Sequence, residues 1–376
     1  MKKIEGGLAL ALLLAGCAQP ARQIDKENVV VVERSNSVAP LVDVVERIEL
    51  IPLETGLPFL LGVDPMLNLS DSSFVLTDTR TGRVLAFNRD GSFRCHVGAK
   101  GRGPGEYPMI LSSQVAADGS VTVFSYPDKV LYYNADGECV REEHREDIGV
   151  QACLVPEGML AYFGYGSGRP GRAVLTADDG AQKDFLPTSA KIINMTPNTP
   201  VFTFYRDSVY FTDTYNPVIY AYKDGKIQEE VTFDFGKSAI AESFYQYDDP
   251  YEAMESILKS PVGFSLVRRY LRDERFQFVE ETFQRGESVT FHYGYKSDGS
   301  WKWFSFGKGV DNPFSGMMQD LYGHCLYFLL NSDALTGKDH GLGGELAPLR
   351  ALIANPEVLD RVTPDDNPVV ARLYLK

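Results

Sequence analysis

The sequence predicts an all-β fold, and two observations lead to this class. Short β-rich runs alternate with Asp-Gly turns, which need a positive φ angle and typically join the two strands of a hairpin. The same order of runs and turns recurs along the chain with a period of roughly 40–50 residues, long enough for four short strands. Repetition at this spacing predicts a six-bladed β-propeller of four-stranded blades.

The clearest copy of the repeat lies in the first blade. An apolar run at 74–78 ends in a turn, a second run follows at 84–87, and an Asp-Gly turn at 88–91 leads to a third. The segments 121–137 and 209–225 repeat this order. With weaker copies, six blades are predicted near residues 60–107, 108–146, 148–189, 200–236, 278–309 and 318–376.

Two strands at opposite ends of the chain are predicted to close the ring. Both 44–53 and 369–375 are β-rich runs. If they pair within one blade, the ring has no exposed sheet edge, and exposed edges invite aggregation.

One segment interrupts the strand pattern between the fourth and fifth blades. Pro250 suits a first helical turn, and Met254, Ile257 and Leu258 follow at helical spacing. We therefore predict a short helical insertion at 238–275. Such an insertion either decorates a binding face or caps a bare edge.

The N-terminus has the order of a bacterial lipoprotein signal. Lys2 and Lys3 precede an apolar run at 8–14, and small residues then lead to Cys17. The run is too short to cross a bilayer as a helix. We predict that 1–16 is a signal peptide and that Cys17 carries the lipid that ties the protein to the membrane.

The rest of the chain divides into two segments. Residues 17–41 are polar and weakly patterned, which predicts a flexible tether, and 42–376 form the propeller. Loss of the signal peptide would leave 35 basic and 50 acidic residues, a net charge of −15. Such a surface disfavours nucleic acid and is not drawn to anionic lipid, so the lipid itself would provide the anchor.

No sequence motif for a metal or cofactor is found. The histidines form no H-E-x-x-H pair, and the G-x-x-x-x-G-K-[ST] phosphate loop is absent. The cysteines after Cys17 are widely spaced and form no CxxC pair, which predicts buried, unpaired thiols that act as small apolar residues at Cys95, Cys139, Cys153 and Cys325.

The most distinctive local string is the glycine-rich stretch at 98–107. Its backbone N–H groups form an anion nest in one interpretation, with Arg102 beside it. In the other, the loop sets the crossing between two blades, and Glu106 with Tyr107 holds it in place.

Carboxylates at the ends of matching strands form a second candidate site. Asp78 and Asp213 end equivalent strands in different blades, and Tyr126 and Tyr215 lie nearby in the repeat. Together they could surround the mouth of the central channel, a lining that suits the hydroxyls and apolar faces of sugars. In the alternative interpretation each aspartate caps its own turn.

Two phrases carry a family resemblance. Pro-Leu-Glu-Thr at 52–55 and Gly-Arg-Gly-Pro-Gly-Glu-Tyr at 101–107 resemble motifs of six-bladed β-propeller lipoproteins of Bacteroidota, distant relatives of NHL-repeat propellers. The resemblance spans about 42–376 and implies the propeller fold and a place in the cell envelope. It implies no reaction. Lipoproteins of this kind that reach the cell surface commonly carry an acidic cluster after the lipidated cysteine, and none follows Cys17. We therefore expect the periplasmic face of the outer membrane.

These observations lead to the hypothesis that the protein binds a partner or ligand and is not an enzyme. We expect a binding or scaffold propeller that docks an envelope protein or a small ligand, such as a glycan, on one face. The alternative is a lyase or hydrolase that acts on polysaccharide at the mouth of the channel, and a third is a purely structural propeller.

Overall fold

The computed structural model describes residues 28–62, 64–188, 190–191, 199–213, 215–307, 312–314 and 318–376. These residues begin with strand β1 (Val29–Val31), helix α1 (Ala39–Val44) and strand β2 (Val45–Pro52). Six sheets follow one another around a ring; each has four strands in the propeller order, and one of them carries β1 as a fifth strand. The prediction of a six-bladed β-propeller is thus confirmed.

The first three blades follow the sequence order. Blade 1 consists of β3–β6, at Met66–Leu69, Ser73–Asp78, Arg83–Asn88 and Phe93–His96. A two-stranded parallel pair, β7 (Ala99–Lys100) and β8 (Glu106–Tyr107), leads to the next blade. Blade 2 consists of β9–β12, at Met109–Val115, Val121–Tyr126, Lys129–Tyr133 and Cys139–His144. Blade 3 consists of β13–β16, at Gln151–Val155, Gly158–Tyr162, Gly171–Thr176 and Gln182–Pro187.

The remaining blades complete the ring. Blade 4 consists of β17–β20, at Phe202–Tyr205, Ser208–Asp213, Asn216–Lys223 and Lys226–Asp234. Helix α2 (Pro250–Leu258) precedes blade 5, which consists of β21–β24, at Phe264–Arg272, Gln277–Arg285, Ser288–Lys296 and Trp301–Phe304. Blade 6 contains β25 (Met318–Tyr322), β26 (Cys325–Leu330), β27 (Val369–Leu375) and β2, with helix α3 (Ala347–Arg350) between β26 and β27. Short 3-10 helices lie at Leu57–Phe59, Gly236–Ser238, Glu242–Gln246, Asp333–Leu335, Lys338–Gly341, Gly344–Leu346 and Pro356–Val358.

The chain ends close the ring as predicted. β2 pairs antiparallel with β27, and Leu50 lies opposite Ala371. The outer strand of blade 6 therefore comes from the N-terminal side of the chain, while its other three strands come from the C-terminal side. Closure of this kind gives β27 a partner on the side that would otherwise be an exposed edge.

The aromatic content of the sequence is used in packing between blades. The core between blades 5 and 6 stacks Tyr293 on Phe304 at 5.2 Å and Phe306 on Phe314 at 4.4 Å. Rings at these separations prefer stacked or edge-on contacts, which stabilise the pair beyond the area they bury.

The helical insertion is shorter than the sequence predicted. Helix α2 is present, with Pro250 in its first turn and the Asp249 side chain accepting the Tyr251 N–H at 2.8 Å. However, β21 begins at residue 264, inside the predicted insertion. The strand was missed because a β-bulge between Val267 and Arg269 breaks its alternation, and a charged residue, Arg269, is buried in it.

The predicted flexible tether is also wrong over its second half. β1 adds to blade 4 as a fifth strand, parallel to β20, with Val29 opposite Thr232. Further along, Leu41 is fully buried in the core between blades 5 and 6. Residues 28–41 are therefore part of the folded domain, and the first part of the tether, 17–27, lies outside the described residues.

The four cysteines after Cys17 are free, as predicted. The predicted burial is confirmed for Cys153 and Cys325, but Cys95 is half-buried, and the prediction is wrong for Cys139, which is exposed on an outer strand. The thiols thus have no shared structural role.

Strand direction defines two faces of the ring. In each blade the second strand ends on the face that also carries the connections between blades; we call this the upper face. The turns between the first and second strands lie on the opposite, lower face. Asp78, Asp213 and the segment 236–263 all belong to the upper face.

Candidate functional site

The glycine-rich loop is held by its own side chains. Glu106 accepts the Gly103 N–H at 2.8 Å, and Lys129 donates to the carbonyl oxygens of both residues at 3.0 and 3.2 Å. Glu142 accepts the Gly105 N–H at 2.7 Å and pairs with Lys129 at 2.8 Å. The loop's N–H groups are therefore directed to carboxylates of the chain itself. These contacts favour the structural interpretation, and Arg102 is exposed beside the loop.

Asp78 is buried and organises its own turn. Its Oδ1 accepts the N–H groups of Arg80 and Thr81 at 3.1 and 3.0 Å, and Oδ2 accepts that of Gly62 at 2.7 Å. This is the capping role that the sequence offered as the alternative. Both carboxylate oxygens are thus used by the backbone.

The two candidate tyrosines lie in different surroundings. Tyr126 is 57 % exposed at the end of blade 2. Tyr215 is buried against Phe244 of the insertion, with ring centroids 4.9 Å apart, and its carbonyl oxygen accepts the Tyr245 hydroxyl at 2.6 Å. Tyr215 therefore helps to fix the insertion onto blade 4.

Asp213 has partners that Asp78 lacks. Its Oδ1 accepts the Tyr162 hydroxyl at 2.7 Å, and its Oδ2 accepts the Tyr165 hydroxyl at 3.0 Å and the Arg172 Nε–H at 2.9 Å. Asn216 donates to the same Oδ2 at 3.2 Å. The result is a buried ion pair that links blade 3 to blade 4.

Burial and the ion pair together determine the charge states of Arg172 and Tyr165. Burial alone would lower the pKa of Arg172, but the Asp213 carboxylate and the surrounding tyrosines together outweigh burial, and the pKa lies above its ordinary value. Burial, and then the charge of Asp213, raise the pKa of Tyr165. Arg172 is therefore cationic and Tyr165 a neutral hydroxyl at physiological pH.

A cavity of about 700 Å³ lies above this pair. Its walls come from the third and fourth strands of blades 3 and 4 and from the insertion, so it lies between two blades on the upper face. Aromatic and polar side chains form much of the lining, among them Tyr165, Arg172, Asn216, Tyr220, Gln228, Glu229, Glu242, Tyr245 and Gln246. The volume is in the range of small-molecule sites.

The structure brings together only some of the residues of the predicted channel-mouth site. Asp213 and Tyr215 lie beside the cavity, whereas Asp78 and Tyr126 belong to blades 1 and 2. Blade 1 and blade 4 are opposite each other in a ring of six, so Asp78 and Asp213 do not form a pair of catalytic carboxylates. Gln228 and Gln246 were missed because no pattern in the sequence connects an outer strand to an insertion.

A second cluster lies on the lower face between blades 5 and 6. Asp273 and Glu274 follow β21, and His324 follows β25. One donor atom from each lies within 4.8 Å of the other two, a grouping able to hold a metal ion. The residues come from different blades, which explains why no spacing in the sequence indicated them.

The chain belongs to the DUF4934 family, a domain family of unknown function, whose model matches residues 27–374. The match begins before β1 and ends within β27. The whole propeller, including the N-terminal segment of blade 4, is therefore the family's unit. None of the curated protein sequences matches the chain.

Two solved structures from Bacteroides share the fold. A presumed exported protein of Bacteroides fragilis superposes with a TM-score of 0.72 at 16 % identity, covering 93 % of this chain and 99 % of its own. A DUF4221 family member from Bacteroides vulgatus has a TM-score of 0.56 at 11 % identity, with 88 % and 97 % covered. At these identities the likeness concerns the fold. In the described part of the chain, every helix is too short or too polar to span a membrane.

Proposed function

We propose that the protein is an exported, non-catalytic binding propeller whose site is the cavity between blades 3 and 4. One observation supports this most directly: an aromatic and polar cavity of about 700 Å³ is built over a rigid, charge-balanced ion pair. The Asp213 carboxylate is engaged by four donors, which makes it a structural group rather than an acid or base.

The lining suggests the class of ligand. Arg172 is the cationic side chain of the described lining, and Asp213 balances its charge. The other polar groups are tyrosine hydroxyls, amides, the Thr188 hydroxyl and the carboxylates of Glu229 and Glu242, while aliphatic side chains such as Ile227 and Ile240 add apolar surface. Rings that pack on apolar faces, together with groups that bind hydroxyls, suit a neutral sugar. We therefore propose a neutral mono- or disaccharide unit as the ligand.

Binding of neutral disaccharides should depend on the exposed rim of the cavity. Gln246→Ala removes an amide, and Glu242→Gln replaces a carboxylate by an amide; neither side chain makes a hydrogen bond within the described residues, so folding should be retained. We expect either change to weaken binding by about tenfold, the equivalent of one lost hydrogen bond to a ligand. Calorimetry with a panel of neutral and acidic disaccharides measures this, and the acidic ones should bind less well because of the two glutamates.

A matched control is available on the same face. Glu287 is exposed in the turn between β22 and β23 of blade 5, away from the cavity. Glu287→Gln should bind as the unaltered chain does. If no neutral disaccharide binds, or if the cavity variants and the control bind equally well, the ligand proposal is wrong. In that case a protein partner on the upper face becomes the better hypothesis.

The anchor is proposed from the N-terminal sequence. The signal order that ends at Cys17 supports lipid attachment there, and the presumed export of the Bacteroides fragilis protein agrees with a place in the envelope. We further propose the periplasmic face of the outer membrane.

Cys17→Ala should release the protein into the soluble fraction of the envelope, because the proposed lipid is lost and no helix of the described residues is long and apolar enough to cross a membrane. Cell fractionation followed by immunoblotting measures the change. Cys95→Ala serves as the control and should stay in the membrane. Membrane retention of Cys17→Ala would contradict the anchor, and protease digestion of intact cells separately tests the face.

A further inference from the structure

We propose that Asp273, Glu274 and His324 bind a divalent transition-metal ion on the lower face, between blades 5 and 6. The proposal does not depend on the ligand cavity, which lies on the upper face between blades 3 and 4. It starts from the donor set, one imidazole and two carboxylates, which suits zinc and its neighbours in the first transition series.

The geometry brings one donor atom of each residue together. His324 Nε2 lies 2.8 Å from Glu274 Oε1, and His324 Nδ1 lies 3.3 Å from Asp273 Oδ2. The three donor atoms fall within 4.8 Å of one another. Zinc binds nitrogen and oxygen at about 2.0–2.2 Å. Because the two carboxylates face different nitrogens of the ring, an ion held by one nitrogen requires the imidazole and the exposed Glu274 side chain to rotate toward Asp273.

Asp273 supplies an independent observation. Its side chain is 8 % exposed. Oδ1 accepts the N–H groups of Arg275 and Phe276 at 2.7 and 2.6 Å, whereas the buried Oδ2 accepts no hydrogen bond and is directed at His324. A buried carboxylate oxygen without a hydrogen bond is costly and calls for a partner. A cation beside His324 would provide one.

The remaining two ligands allow the ion to enter. The His324 and Glu274 side chains are 44 % and 45 % exposed. Three protein ligands with an open side leave room for water as a further ligand. The ion would also join blade 5 to blade 6, the blade in which β2 pairs with β27, and so would stabilise ring closure.

Zinc titration of the full chain tests the proposal. We expect one zinc ion per chain by calorimetry and a rise in the melting temperature of a few degrees when zinc is in excess, because an ion that binds only the folded state stabilises it. Asp273→Asn keeps the acceptor for the turn, Glu274→Gln keeps the shape, and His324→Asn suits the positive φ of 58° at that position. Each should weaken zinc binding at least about tenfold, since loss of even an outer partner of a metal ligand costs that much.

His144 provides a matched control. It lies 3.0 Å from Asp128 Oδ2 and 3.7 Å from Glu142 Oε1, but Glu142 is already engaged by Lys129 and the Gly105 N–H. His144→Asn should therefore leave zinc binding unchanged. The proposal is overturned if the unaltered chain fails to bind zinc at submillimolar concentration, or if the three variants bind it as well as the unaltered chain. It is also overturned if each variant lowers the melting temperature by the same amount in zinc as in a chelator. That result would show that the three side chains form only an ion pair with one another and bind no metal.

Discussion

Replacement of Asp213 by asparagine is expected to lower the free energy of unfolding by about 3 kcal/mol, although the two side chains have almost the same size. The change leaves the buried Arg172 guanidinium without the carboxylate that lies 2.9 Å from its Nε. In asparagine, an NH₂ group takes the place of one of the two carboxylate oxygens. If it takes the place of Oδ2, the hydrogen bonds from Tyr165 and Asn216 lose their acceptor. An uncompensated buried charge is among the most destabilising changes that a single substitution can cause.

Asp78 offers a matched comparison at the equivalent strand end of blade 1. It is buried to the same extent as Asp213, but its partners are backbone N–H groups and no cation. Asp78→Asn should therefore cost only about 1 kcal/mol, the range of ordinary hydrogen bonds. Guanidinium unfolding of the two variants measures the difference.

A double variant separates the charge from the shape. When Arg172→Met is combined with Asp213→Asn, no charge of this pair remains buried, and part of the stability lost in Asp213→Asn should return.

Equal losses for Asp78→Asn and Asp213→Asn would show that Asp213 acts only as a turn cap. The ion pair would then contribute nothing to the junction of blades 3 and 4.

Local rules explain why the propeller was predictable. Residues 74–91 contain two strands and an Asp-Gly turn whose form depends on neighbouring residues alone, and the same phrase returns in later blades. The pairing of β2 with β27 was also predictable, because ring closure needs a partner for each free edge. Turn chemistry depends only on neighbouring residues, and in a repeat fold the same local pattern recurs in several blades, so the fold can be inferred from many copies of one signal.

The candidate site depends on distant residues and was only partly predictable. Asp213 was found because it ends a repeated strand, but its partner Arg172 lies 41 positions earlier with no motif between them. The bulge in β21 hid a strand, since it breaks the alternation on which strand prediction depends. His324 meets Asp273 only through the stacking of two blades.

The N-terminal segment was misjudged for a related reason. β1 has three residues, too few for a pattern, and it becomes a strand only because β20 offers a free edge. The segment is then held by Arg34, which reaches the fully buried Glu281 at 2.6 Å and donates to Ser265 at the same distance. Burial alone would raise the pKa of Glu281, but His292 and Arg34 outweigh it and hold the pKa below its ordinary value.

Removal of residues 28–41 should therefore destabilise the propeller strongly. Compared with a chain that begins at residue 28, a chain that begins at 42 loses Arg34 and leaves the Glu281 charge buried without it. It also loses Leu41 and Val38 from the core between blades 5 and 6. Breaking a buried pair costs about 3–5 kcal/mol and each large apolar side chain about 2–5 kcal/mol, so we expect a loss of at least about 5 kcal/mol.

Soluble yield and the guanidinium midpoint of the two chains measure this loss. Because the shorter chain is expected to fold poorly, Arg34→Ala in the full chain gives a second test, with an expected loss of about 3 kcal/mol. The stability of Arg34→Lys should lie between that of Arg34→Ala and that of the unaltered chain, since a lysine keeps the charge but cannot reproduce the forked contact to both Glu281 oxygens. A midpoint shared by all of these chains would mean that 28–41 is a tether after all, because only a segment without structural contacts can be removed at no cost.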